Sequence, residues 1–492
     1  MLTDLLEQAK SGSITEARSF VAGSWTTHGT PVERVGPYLR EVVSRSHPAS
    51  PEQIVAAREF ARTGARAVAA LAPATRAGVL ERASALATAH RADVARLIAR
   101  ELGKPVKDGL GEMDRVADTF AVCAAEARQI GGETLPVAGW ARGVGNTALT
   151  YRAPAGVALA ITPFNAPANL LAHKLGASFA AGNTTLVKAP PQAPATTAAM
   201  VALVLEAGMP ADAVQLLHGG GDVGAALCAA PEVSVVSFTG SPETGAAVAR
   251  AAGAKRLVLE LGGNAATIVC ADADLAHAAR ICARTGYSNS GQSCISVQRV
   301  YVQRDRFDEF VERFGTEVAG VTVGDPLDPA TDVGSMVDDD AATRVEKWIA
   351  QATASGAKLV VGGERDGATL RPAVVADPPA DATLVTEEVF GALVAVLPFD
   401  DLAEVIETCN ASRYGLQAGL FTHDLATVFQ AWRDLQVGGL IVNGSSNYRL
   451  DHVPFGGVKD SGFGREAPAQ MIDDYTVIKT LVLRGMSIWG QS

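Results

Sequence analysis

Apolar positions recur at helical spacing from about Pro51 to Ile130, and segments such as Arg76 to Leu97 keep Ala, Leu and Val on one face. An opening helical region is predicted there. From Gly156 onward the pattern changes to short apolar runs alternating with helical stretches. Gly156 to Ile161 precedes a helix near Ala168 to Ala181, Thr184 to Val187 precedes Ala195 to Glu206, and Val214 to Leu217 precedes a helix from Gly221. Such alternation predicts βαβ units on a parallel sheet, an α/β fold. A second α/β series starts near Asp272, with a helix to about Tyr287, a strand over Arg299 to Val302 and a helix from Phe307, and runs to about Gly457. It reads as a separate catalytic lobe. The Gly/Pro-rich stretch Gly131 to Gly145 reads as a connection or edge hairpin.

At 492 residues the chain is beyond the size of one hydrophobic core, so two or more units are expected. A net charge of -11 offers no footprint for nucleic acid or an anionic membrane, and neither is expected as a partner. The segment Met1 to Gly12 carries Asp4, Glu7 and Lys10 where a leader would have a basic region before an apolar stretch, and no apolar run has the length of a membrane span. A cytoplasmic location is the expectation. The six cysteines are scattered, with no C-x-x-C pair, so neither a disulfide framework nor a metal site is indicated.

Candidate chemistry sits at the strand ends. Gly219, Gly221 and Gly224 spell G-x-G-x-x-G, which fits either a phosphate-binding loop or a plain strand-to-helix turn. The next run, Val235 to Phe238, leads into Thr239-Gly240-Ser241-Pro242 and an alanine-rich helix, a turn able to present free amides to a pyrophosphate. Lys188 follows the strand Thr184 to Val187, where open α/β sheets place their ligands. Three further segments set polar or reactive residues in apolar, turn-rich surroundings: Thr162-Pro163-Phe164-Asn165-Ala166-Pro167, Leu259-Glu260-Leu261-Gly262-Gly263-Asn264, and Asn289 to Ser296 around Cys294.

Together these segments resemble the aldehyde dehydrogenase superfamily, whose glutamate motif E-L-G-G, cysteine motif G-Q-x-C and asparagine motif P-(W/F)-N-x-P all appear. Glu260 precedes Cys294 by 34 residues, the spacing usual in that family. Glu387-Glu388-Val389-Phe390-Gly391 and Pro454-Phe455-Gly456-Gly457 extend the resemblance over nearly the whole chain. It implies a soluble NAD(P)+-dependent enzyme oxidising an aldehyde to its acid, with Cys294 as a thiolate nucleophile and Asn165 plus the Cys294 amide as the oxyanion hole. Glu260 is implied as the general base that hydrolyses the thioester. The same resemblance puts Lys188 and Glu388 on the two riboses, Ser241 with Gly240 at the pyrophosphate and Phe390 beside the nicotinamide, with Thr162, Phe164 and Leu261 lining the cofactor site.

The implied fold has a Rossmann-type dinucleotide-binding domain from residues 1–131 and 150–262, and a catalytic domain over 263–462. A β-flap for oligomerisation takes 132–149 and 470–486 and gives a homodimer or homotetramer. Departures from the pattern refine the expectation. Pro191 stands where many NAD-preferring members carry a ribose-binding glutamate, so NADP+ should be tolerated or preferred. Ala166 and His173 replace aromatics common beside apolar substrates, which predicts a wider, more polar tunnel. The loop Asn447 to His452 resembles that of members acting on short hydroxylated or anionic aldehydes; Arg449, Arg115, His173 and His452 are the candidate substrate residues. Ser293, where phosphonoacetaldehyde members have arginine, and Gln129, where succinic-semialdehyde members commonly have one, favour neither substrate. The alternatives are a CoA-acylating semialdehyde dehydrogenase, against which Glu260 argues, and a non-catalytic scaffold with the same fold.

Overall fold

The computed structural model describes residues 1–486 and residue 488. One sheet has eight strands, in the spatial order Gly462–Phe463, Arg256–Glu260, Val233–Thr239, Val157–Ile161, Thr184–Lys188, Val214–Leu217, Ser19–Val21, Ser24–Thr26. Its five central strands are parallel, and antiparallel strands close both edges. The central strands are short, nearly continuous apolar runs because helices cover both faces. From Val157–Ile161 the chain builds outward through Thr184–Lys188 and Val214–Leu217. It then returns to the opposite side of Val157–Ile161 with Val233–Thr239. That reversal opens a crevice beyond the carboxyl ends of the two strands, at Ile161 and Thr239.

A second sheet has seven strands, in the order Lys358–Val361, Ala373–Ala376, Leu393–Phe399, Arg299–Gln303, Ala266–Val269, Gln417–Phe421, Gly439–Val442. Only Lys358–Val361 runs antiparallel to its neighbour. Each sheet supports its own large apolar core. Residues 261–265 alone connect the last parallel strand of the first sheet, Arg256–Glu260, to Ala266–Val269 in the second. The first sheet therefore presents carboxyl ends to the junction while the second presents amino ends. Glu260 finishes one strand, Cys294 lies shortly before Arg299–Gln303, and Glu388 and Phe390 shortly before Leu393–Phe399.

The third sheet, Thr134–Leu135, Thr147–Pro154 and Thr476–Leu483, takes up the stretches expected as the flap, with different limits. Thr147–Pro154 continues past residue 149 because it pairs along its whole length with Thr476–Leu483, and Pro468–Asp474 is a helix. The periodic run Arg76 to Leu97 is broken at His90 into the helices Pro73–Ala89 and Arg91–Leu102. The strands between Thr15 and Ser46 had no counterpart in the apolar pattern. They are three to five residues long, too short for alternation to register, and they add two edge strands to the first sheet and a small three-stranded sheet beside it. No helix among the described residues is long and apolar enough to cross a membrane.

Candidate active site

The loop carrying Cys294 is wound tightly. Asn289, Ser290 and Gly291 have φ of 50°, 56° and 72°, consecutive left-handed residues that ordinary side chains resist by about 1–3 kcal/mol each. Hydrogen bonds hold the turn in place. Asp108 accepts from the Asn289 amide at 2.8 Å, Ser335 carbonyl from Ser290 Oγ at 3.1 Å, and Gln292 Oε1 from the Val337 amide at 2.8 Å. The backbone amide of Cys294 takes part in none of the hydrogen bonds among the described residues, so this donor is available at the nucleophile.

Asn165 comes to the same place from the first sheet. Its side-chain amide donates one N–H to the Gln292 carbonyl at 3.0 Å, which fixes the group and leaves the second N–H free. The helix Pro167–Ala180 that follows is buried over its whole length and begins with proline at its first position. Behind Asn165 and Cys294 lies Glu260, whose two carboxylate oxygens are buried without a hydrogen-bond partner. Burial, and then the charge of Glu466, raise its carboxyl well above the ordinary range. Although burial opposes it, Glu466 is held below that range by Lys174, at 2.9 Å, and by Arg449.

The turn Leu261-Gly262-Gly263 passes between these groups because it lacks side chains there. A Cβ on Gly263 would lie 2.3 Å from the Cys294 carbonyl oxygen, and one on Gly262 would lie 2.3 Å from a Glu388 carboxylate oxygen. The Gly263 amide donates to Glu388 at 2.9 Å. Burial nevertheless pushes the Glu388 carboxyl up to about 7. The surroundings of Cys294 oppose the expected thiolate. Burial and then the nearby Glu388 and Glu260 push the thiol up to about 12, because carboxylates face it from two sides.

At the strand-order reversal lies a cavity of about 880 Å³ that reaches Cys294 and Asn165. Thr162, Phe164, Lys188, Gly240 and Ser241 line it from the first sheet. Leu261, Glu388 and Phe390 close it from the junction and the second sheet, so all the sequence-expected cofactor residues meet in one space. Lys188 is buried and its ammonium makes no hydrogen bond or ion pair among the described residues; burial lowers its amine to about 8. The Thr239 hydroxyl is likewise buried, unpartnered and part of the lining. Ser241 caps the helix Pro242–Ala252. Phe390, at φ 43°, meets Phe164 edge-on at 5.9 Å. An unpartnered cation, an unpartnered hydroxyl and a helix amino end in one elongated cavity fit an anionic dinucleotide. Gly221 and Gly224 of the G-x-G-x-x-G run also line it.

None of Arg115, His173, Arg449 and His452 lines that cavity. The first three join an ion network around Asp451: Arg115 grips it with two bonds of 2.9 and 2.7 Å, His173 bonds it at 2.9 Å, and Asn169 at 3.1 Å. Arg449 reaches Glu466 at 3.1 Å and His173 at 3.2 Å, and its guanidinium lies 4.2 Å from the Phe455 ring centre. The Arg449 charge is felt at both Cys294 and Glu260. His452 is exposed and makes no hydrogen bond among the described residues. Arg344 and Trp348, 4.9 Å apart on the helix Asp339–Ala354, line the cofactor cavity and were missed. An arginine and a tryptophan one turn apart on an amphipathic helix carry no signal that separates a cavity wall from a solvated face.

The aldehyde dehydrogenase family profile matches residues 25–481. A 3-sulfolactaldehyde dehydrogenase of Priestia aryabhattai is 38% identical over 475 residues, covering 96% of this chain and 99% of that protein. Among solved structures, aldehyde dehydrogenase 21 from Physcomitrella patens, in complex with its reaction product succinate, superposes with a TM-score of 0.94 at 33% identity, covering 97% of this chain and 100% of that one. An NADP-dependent enzyme of E. coli superposes at 0.92 with 33% identity, over 95% of this chain and 98% of the other.

Proposed function

The chain belongs to the aldehyde dehydrogenase family, and from that premise we propose that it oxidises a small, polar, anionic or hydroxylated aldehyde through a thioester on Cys294. It is an NAD(P)-dependent enzyme. The observation that supports the mechanism is an open Cys294 amide and a tethered Asn165 side chain at the cofactor cavity, together with a buried, partnerless Glu260 whose charge acts on Cys294.

Cys294 attacks the aldehyde carbonyl, and the oxygen that becomes negative receives hydrogen bonds from the Cys294 amide and from the free N–H of Asn165. One such donor contributes roughly 10²–10³ in rate. Lys188, Ser241 and Glu388 would hold NAD(P)+, which would supply the acceptor for the hydride expelled when the tetrahedral adduct on Cys294 collapses to the thioester. Glu260 then takes a proton from the water that cleaves the thioester. Its raised carboxyl makes it a stronger base than an exposed glutamate, and the same basicity suits removal of the Cys294 proton. Thr162, Phe164, Gly240, Leu261 and Phe390 shape the cofactor channel.

Three cations, Arg115, Arg449 and Lys174, face two carboxylates held ionised, Asp451 and Glu466. Of these cations Arg449 is one whose charge acts on Cys294. That buried cation supports a substrate with an anionic tail, in line with the relatives that act on sulfolactaldehyde or release succinate. Pro191 puts no carboxylate beside Lys188, which favours NADP+ as the cofactor. Subunits associate through the edge strand Thr476–Leu483, where Ile478, Leu481 and Val482 are exposed, giving a dimer or tetramer. Six free cysteines fit a cytoplasmic setting.

The test is reduced-cofactor formation with NAD+ and NADP+, across glycolaldehyde, lactaldehyde, succinic semialdehyde, benzaldehyde and hexanal, with and without CoA. Fast, CoA-independent oxidation of the polar members, absent in Cys294→Ala, is expected. Preference for benzaldehyde or hexanal would discard the polar tunnel, and turnover by Cys294→Ala would discard the thioester.

A further inference from the structure

We propose that Lys104, in a buried pair with Glu112, is a positioning residue for the oxyanion donor Asn165; this rests on the assignment of Asn165 above. Lys104 follows Gly103, the left-handed cap that ends the helix Arg91–Leu102, and stands before Pro105, so its backbone is confined on both sides. Its side chain is 8% exposed and that of Glu112 is 2% exposed, and they pair at 2.7 Å. The ammonium also donates to the Asn165 carbonyl at 3.1 Å. The other Glu112 oxygen accepts from the amides of Ala168 and Asn169 at 2.8 and 3.1 Å.

One ion pair thus clamps the turn Asn165-Ala166-Pro167 from both ends. Ala166, at the cap position of the helix Pro167–Ala180, has no side chain able to bond the free amides, and Glu112 does so from another helix. Lys104 fixes the carbonyl on the near side. Asn289 Nδ2, from the loop of the nucleophile, donates to the same Asn165 carbonyl at 3.1 Å. The Asn165 backbone is therefore tied to the Lys104 corner and to the Cys294 loop together. Its side chain hangs from that anchored backbone by two rotatable bonds, so a shift of the carbonyl displaces the free N–H that meets the oxyanion. A displacement of about 1 Å at such a donor lowers turnover by roughly 10²-fold.

A double-mutant cycle with NADP+ and succinic semialdehyde, or whichever aldehyde of the panel turns over fastest, separates positioning from general support of the fold. Lys104→Met should lower kcat roughly 10- to 100-fold, with cofactor KM changed less than about twofold. In an Asn165→Ala background the same substitution should lower kcat by no more than about twofold, because the donor it aligns is gone. Equal losses in the two backgrounds, or none in the native one, overturn the proposal. Asn165→Ala without loss would instead sink the oxyanion assignment on which it rests. Glu112→Gln keeps an acceptor for the helix amides while removing the ion pair, and it runs through the same cycle if Lys104→Met does not melt cooperatively. Additive losses for Glu112→Gln would overturn the proposal as well.

Discussion

Cofactor affinity should follow a bell in pH, centred near 7.5, because two buried groups that hold the cofactor titrate in opposite senses. Glu388, with its carboxyl at about 7, accepts from ribose hydroxyls through both oxygens, and most strongly, when ionised, and it loses that form as pH falls. Lys188, at about 8, loses its charge as pH rises. The fraction carrying both charges is about 0.09 at pH 6, about 0.6 at pH 7.5 and about 0.09 at pH 9, so the apparent Kd should rise roughly sixfold on either side. Trp348 in the cavity wall makes the titration readable as fluorescence quenching on adding NAD+ or NADP+. The alkaline limb should be steeper for NADP+, whose 2′-phosphate loses an ion partner when Lys188 discharges. Glu388→Gln should flatten the acid limb alone and Lys188→Met the alkaline limb alone. A Kd constant from pH 6 to 9, or an acid limb that survives Glu388→Gln, would refute the reasoning.

Glu260→Gln should release about one reduced cofactor per active site in a burst and then turn over some 10²–10⁴-fold more slowly, seen by stopped-flow absorbance; an unchanged steady state would remove Glu260 from hydrolysis. Pro191→Glu should weaken NADP+ by at least about tenfold while leaving NAD+ equal or tighter, since it returns a carboxylate beside Lys188; kcat/KM with each cofactor decides this. Arg449→Met should raise KM for succinic semialdehyde much more than for glycolaldehyde, because only the first has an anionic tail. Equal effects on both would assign Arg449 to holding Glu466.

The residues legible in the sequence were those whose neighbours in the chain explain them. Glycines 262 and 263 are readable beside Glu260 because no other residue passes so close to the Cys294 carbonyl and the Glu388 carboxylate. The parallel strands were readable because burial on both faces leaves short runs rich in apolar and β-branched residues, wholly apolar in Val157–Ile161. Lys104 looks like an ordinary helix-end charge and Glu112 like one on a helix face, and only the folded chain brings them to Asn165, 61 residues from Lys104. Arg115 and Arg449 were readable as cations near a tunnel. Asp451 was invisible as the partner of Arg115 because that pairing spans 336 residues, and Glu466, 17 residues beyond Arg449, meets it only in the folded chain.

The titration state of Cys294 is a second property that no motif encodes, and its cause is distributed. The burial that makes the oxyanion donors effective in a low dielectric also desolvates the thiolate, and the Glu388 that would hold a ribose adds a like charge. A site arranged for the later steps therefore disfavours the first one. A bound oxidised cofactor would bring its cationic nicotinamide ring to the Cys294 end of the cavity and offset that like charge, so cofactor should promote thiolate formation. Alkylation of Cys294 by iodoacetamide at pH 7.5 should be slow in the free enzyme and at least several-fold faster with NADP+ bound, followed by intact mass. Since the cofactor also narrows access, the comparison is made again in Glu388→Gln, which removes the carboxylate but keeps the channel. There the free enzyme should already react faster than the native free enzyme. A native free enzyme as fast as Glu388→Gln would show that the Glu388 charge does not govern the nucleophile.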